Sequence, residues 1–95
     1  MHKLKQRRSR IEVTAEILQL GEAGKTTTIR TLNLDHDELH EYLYLLLKFK
    51  LVDNVTFGDQ SVTYIVTKKG LMLLRNIQAI LGILEGNHTL NLFQG

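Results

Sequence analysis

The chain has 95 residues, 43% of them hydrophobic and none of them cysteine, a length that supports one small core and leaves oligomerisation as a ready source of further burial. Without cysteine it can form no disulfide, thiolate metal site or thiol nucleophile, and structural zinc fingers are excluded. The net charge of +2 conceals an asymmetry: Lys3, Lys5, Arg7, Arg8 and Arg10 put five positive charges into the first ten residues, and the other 85 carry seven basic and ten acidic side chains. A basic arm on a faintly acidic body points to a polyanionic partner or to a solubilising tail.

No apolar run reaches the ~18 to 20 residues of a spanning helix, so a soluble cytoplasmic protein without a membrane partner is expected. The organisation expected is an arm over 1–10, a folded domain over 11–67, a terminal helix over 68–85 and a tail over 86–95. Ile11, Val13, Ala15, Ile17 and Leu18 form a broad stripe that predicts a first helix from about Ser9 to Leu20, with Gly21 as its stop. Gly21-Glu-Ala-Gly24 reads as a turn, after which the hydroxyls of Thr26 to Thr28 offer N-caps to a short second helix carrying Ile29 and Leu32.

Asn33 and Leu34 turn the chain into the third helix. Asp35 precedes its apolar run with Glu38 three residues on, a capping box that starts the helix at about residue 36. Leu39, Leu43 and Leu46, with Tyr42 beside them, fall on one face and are expected in the core. The opposite face carries His36, His40, Tyr44 and Lys48 at successive i,i+4 positions, flanked by Asp37 and Glu41, a stripe able to donate, accept and stack. The short second helix and the long third helix, joined with Leu34 pinning the corner, read as a helix-turn-helix.

Leu51–Phe57 and Ser61–Thr67 are rich in β-branched and aromatic residues around Gly58-Asp-Gln, which predicts a two-stranded hairpin. Thr67 caps the last helix, in which Leu74, Ile77, Leu81 and Leu84 follow 3-4-3 spacing and are expected to form a seam with a second copy. Met72, Leu73, Ala79, Ile80 and Ile83 lie on its other faces, so the helix needs cover on more than one side. The tail is either frayed or laid across that seam.

The expected fold is α+β but mainly α: three helices, a hairpin wing and a long C-terminal dimerisation helix. Asn33-Leu34, Leu39, Tyr42-Leu43, Leu46-Leu47 and Leu51, followed by Tyr64, Thr67 and Gly70, resemble the small winged helix-turn-helix DNA-binding proteins of archaea and their viruses. The resemblance is nearest to the homodimeric type with a C-terminal coiled-coil helix. It implies a nucleoid-associated transcriptional regulator or chromatin factor that binds double-stranded DNA as a dimer, with no catalytic role, cofactor or small-molecule substrate. On that reading the arm, together with Lys25, Thr26, Thr27 and Arg30 at helix two, holds phosphates, and His36, His40, Tyr44 and Lys48 face the major groove. The rival reading is a protein-interaction module presenting an acidic third helix.

This sequence departs from the resemblance at three places. Lys50 stands where such proteins have glycine, so the end of the third helix is expected to differ. Asp35, Asp37, Glu38 and Glu41 face the presumed groove, and the tip Gly58-Asp59-Gln60-Ser61 has no cation, so each opposes contact with phosphate. Two further patterns lack their context. Gly24-Lys25-Thr26 ends like a phosphate-binding loop but has Gln19 where the motif's first glycine belongs and a helix where its strand belongs. His36 and His40 have the spacing of a zinc-protease helix without an evident third ligand.

Overall fold

The computed structural model describes residues 8–59 and 61–85; Lys3, Lys5, Arg7 and the tail 86–95 lie outside it. The order is α1 (Arg10–Leu20), β1 (Glu22–Gly24), α2 (Lys25–Leu32), α3 (His36–Lys48), β2 (Val52–Thr56), β3 (Val62–Val66) and α4 (Lys68–Glu85). This is the predicted winged helix-turn-helix with one addition. Residues 22–24, expected as a turn, are a strand pairing antiparallel with β3, so the wing is a three-stranded sheet of order β1-β3-β2 with Ala23 and Asn54 both opposite Tyr64. Three residues lack the length to show an alternating pattern, and pairing with β3 gives their backbone groups the partners that local sequence could not reveal.

The helix boundaries follow from their caps. Ser9 accepts from the Glu12 amide while Glu12 accepts from the Ser9 amide, and Asp35 and Glu38 repeat the exchange at α3. Each box satisfies two orphan donors of a first turn. Gly21 stops α1 at φ 77°, and Asn33 ends α2 in the left-handed region at φ 56°. The threonine caps expected at α2 are absent: its N-cap is Gly24, with no side-chain bond, and Thr28 is buried in the helix and donates from its hydroxyl to the Gly24 carbonyl at 2.8 Å.

At the end of α3, Lys50 does adopt the left-handed conformation, φ 61°, with its amide bonded to the Leu47 carbonyl and that of Leu51 to the Leu46 carbonyl at 2.8 Å. That is a complete Schellman closure. The expectation of a different helix end fails because two closing bonds offset the unfavourable backbone of one lysine.

The core lies between α1, α3 and α4 and reaches the base of the sheet: Val13, Ala15, Ile17, Leu18, Leu34, Leu39, Leu43, Leu46, Val52, Leu74 and Ile77 are buried. The α4 N-terminus is seated by Thr67, whose hydroxyl donates to the Lys50 carbonyl and accepts from the Gly70 amide. Gly70 has no room for a side chain, since a Cβ there would lie 2.1 Å from the Leu51 carbonyl oxygen.

Burial corrects the expected dimer seam. Leu74 and Ile77 are 8% and 7% exposed inside the protomer's own core, and Leu81 packs against that core. Of the predicted four only Leu84 remains open, at 76%. The uncovered apolar residues are instead Leu71, Met72, Ile80, Ile83 and Leu84, all about half exposed or more. Sequence spacing could not choose between two apolar faces of one helix; packing against α1 did.

Candidate nucleic-acid interface

The expected phosphate ligands divide into three groups. Lys3, Lys5 and Arg7 are outside the described residues. Arg8 is not a free cation: its guanidinium pairs with the Glu16 carboxylate and donates to the Leu32 carbonyl at 2.6 Å, tying the start of α1 to the end of α2. A charged fork spent on a carboxylate and an orphan helix carbonyl is a structural clamp, which corrects its assignment to the arm. Arg10 is exposed and shares a shallow depression with His40, Glu41, Tyr44 and Leu45.

Lys25, Thr26 and Thr27 form the first turn of α2 and line a cleft with Ser61, Val62 and Tyr64 from the wing. No side chain caps this helix, and an uncapped first turn has the polarity that suits an anion. Arg30 is exposed on the same helix.

His36, His40, Tyr44 and Lys48 are all exposed along one stripe of α3, as spacing predicted. The stripe is electrically divided. Asp35, Asp37, Glu38 and Glu41 are exposed on the first half of the helix, where they favour its positive end, whereas the last half carries no acid. Lys48 Nζ lies 5.9 Å from the centroid of the Tyr44 ring and 5.8 Å from that of Phe49, so the Tyr44–Lys48 pair is in contact and Phe49 joins it.

The sequence reading missed what surrounds this pair. Phe49 is 52% exposed; Lys50 follows it in the chain, Lys68 and Lys69 open α4, and Lys69 Nζ donates to the Phe49 carbonyl at 3.0 Å. Lys48-Phe49-Lys50 and Lys68-Lys69 were visible as short basic runs, but they are about twenty residues apart, and the β2–β3 hairpin with the Thr67–Lys50 and Lys69–Phe49 bonds brings them to one corner. At the wing tip Asp59 accepts from the amide and hydroxyl of Ser61, which hold its carboxyl below the ordinary value. Among the described residues no three His, Asp or Glu side chains converge on a metal-sized site, and no helix is long and apolar enough to cross a membrane.

A family model described as winged helix-turn-helix matches residues 7–85. The fold is similar to the crystal structure of Sso10a-2, described as a DNA-binding protein from Sulfolobus solfataricus, with a TM-score of 0.77 and 24% identity over 88% of this chain and 90% of that one. No curated protein matches the chain.

Proposed function

The chain belongs to the winged helix-turn-helix family, and from that premise we propose that it binds duplex DNA as a homodimer, acting as a transcriptional regulator or chromatin-associated factor in the cytoplasm. The observation that carries the reading is the family match over 7–85, joined to a structurally similar protein described as DNA-binding. Locally it is supported by the open first turn of α2, where Lys25, Thr26 and Thr27 meet Ser61 of the wing. Lys3, Lys5, Arg7 and Arg10 add sequence-independent phosphate contacts, and the exposed Arg30, His36 and His40 are read as further contacts.

The dimer is supported by the outer stripe of α4. Met72, Asn76, Ala79 and Ile83 repeat at 4-3-4 spacing and are all exposed, with Ile80 and Leu84 alongside. A second copy supplies the missing cover. Antiparallel pairing is favoured by charge, since it separates the Lys68, Lys69 and Arg75 end of one helix from the same end of its partner.

The rival reading, a protein-interaction module, is favoured by the exposed Asp37, Glu38 and Glu41. Anisotropy of a random duplex at two salt concentrations separates the two. If the arm holds phosphates, deleting residues 2–7 weakens binding uniformly across sequences and flattens the logarithmic salt slope by ~0.9 for each phosphate the arm had neutralised. An unchanged slope shows that the arm is only a solubilising tail, and absent duplex binding by the intact chain leaves the interaction module.

A further inference from the structure

Four of the seven cations outside the first ten residues, Lys48, Lys50, Lys68 and Lys69, stand at the single corner where α3 gives way to α4. The corner is built, not incidental: the Thr67 hydroxyl donates to the Lys50 carbonyl at 2.7 Å and Lys69 Nζ to the Phe49 carbonyl at 3.0 Å. No acid occurs in the sequence between Tyr42 and Val52 or between Ser61 and Leu84, so the nearest are Glu41 and Asp53 at its borders. Helix electrostatics explains only part of this. Lys48 lies in the last turn of α3, where a cation is favoured, but Lys68 and Lys69 occupy the first turn of α4, which has no acid and where positive charge opposes the dipole. Lys50 is held at φ 61°, a conformation glycine would take without strain.

Two aromatic rings stand open in the same corner, Tyr44 at 63% and Phe49 at 52% exposure, with the Lys48 ammonium within 6 Å of both. Cations that follow a phosphate backbone, interleaved with exposed rings on which bases can stack, are the two components of a single-strand platform. Duplex DNA does not use the second component, because its bases are already stacked on each other and a ring laid on its backbone meets sugar and phosphate. We propose that the Tyr44–Phe49 corner, with Lys48, Lys50, Lys68 and Lys69, is a binding site for single-stranded nucleic acid. It is separate from the α2 cleft and does not depend on the duplex reading.

Tyrosine emission reads this site directly, because the chain has no tryptophan and, of its three tyrosines, Tyr44 is exposed whereas Tyr42 and Tyr64 are half-buried. The full chain is titrated with a twenty-residue oligothymidylate, the matching oligouridylate and a random duplex of equal length. Stacking quenches the emission on either single strand. Tyr44→Leu with Phe49→Leu, which keeps apolar area and removes the rings, abolishes the quenching and weakens single-strand binding tenfold or more with the thermal midpoint unchanged, and Phe49→Leu alone weakens single-strand binding while duplex affinity stays within twofold. A second variant, Lys48→Gln with Lys68→Gln, alters only surface cations and flattens the single-strand salt slope by ~0.7 per lysine. Equal loss on the DNA and RNA oligomers supports a site that reads backbone and base faces, and loss on one alone supports it while naming the natural strand. The proposal is overturned if quenching survives removal of both rings, if the lysine variant keeps the wild-type slope, or if Phe49→Leu alone costs the duplex as much affinity as the single strand.

Discussion

Lys50 concentrates the tension between stability and surface chemistry in one backbone angle. Its φ of 61° is required by the Schellman bonds that close α3, and an L-residue there is disfavoured by about 1 to 2 kcal/mol. Lys50→Gly is therefore expected to raise stability by about 1 kcal/mol, part of the relief being offset by the greater chain entropy of glycine when unfolded. Chemical denaturation measures it, and a lower midpoint would mean that the lysine makes a compensating contact. Asp59 offers a pH-dependent counterpart at the wing tip. Its carboxyl is held below the ordinary aspartate value by the Ser61 hydroxyl and amide, so its contribution to tip order is present above the ordinary carboxylate range and is lost as pH falls through the lower folded value. The Ser61 amide resonance is expected to shift with a midpoint below the ordinary aspartate range, and Asp59→Asn should remove that titration. The capping boxes at Ser9 and Asp35 act within three residues, and the one at Asp35 was fully legible in the sequence. The role of Arg8 was not, because its partners, Glu16 and the Leu32 carbonyl, are eight and 24 residues away.

At the scale of elements, the helices declare themselves by periodicity and the β2–β3 hairpin by its β-branched residues, whereas the short strand β1 does not. α3 was predicted to the residue at its start because cap, dipole and apolar stripe agree. β1 was missed because three residues of edge strand exist only by virtue of β3. The same dependence on a distant element governs the seat of α4, where Gly70 lies under the Leu51 carbonyl. Gly70→Ala would force a methyl group into backbone that cannot yield as a flexible side chain does, so destabilisation at or beyond the ~1 to 3 kcal/mol of ordinary overpacking is expected. Thermal unfolding followed by circular dichroism tests this; a variant as stable as the parent would mean that α4 can move off the sheet. Arg8→Ala is expected to destabilise by about 1 kcal/mol, since its pair is partly solvated. It should leave the salt slope of duplex binding untouched, which separates the clamp from the arm ahead of it.

The whole molecule poses one question that a single chain cannot answer, namely what covers the outer face of α4. The sequence announced that the helix was apolar on several sides, and the fold has decided which side each residue serves: Leu74 and Ile77 inward, Met72, Ile80, Ile83 and Leu84 outward. Substituting each face should therefore have opposite consequences. Ile77→Asp places an unpaired charge in the protomer core and is expected to prevent folding. Ile80→Asp with Ile83→Asp alters only exposed positions of the protomer, so the chain should stay folded but sediment as a monomer, with charge repulsion across the seam. Asn76 sharpens the argument, being the polar residue in an otherwise apolar 4-3-4 stripe. A polar side chain at such a position fixes register and orientation at some expense of stability, because only one alignment gives it a partner. Asn76→Leu is then expected to tighten self-association while allowing more than one helix alignment, seen as a dimer of higher thermal midpoint whose α4 resonances broaden or double. Sedimentation equilibrium of the unaltered protein is the deciding measurement. A monomer at micromolar concentration would remove the seam, and a tight dimer that survives Ile80→Asp with Ile83→Asp would place it elsewhere on the surface.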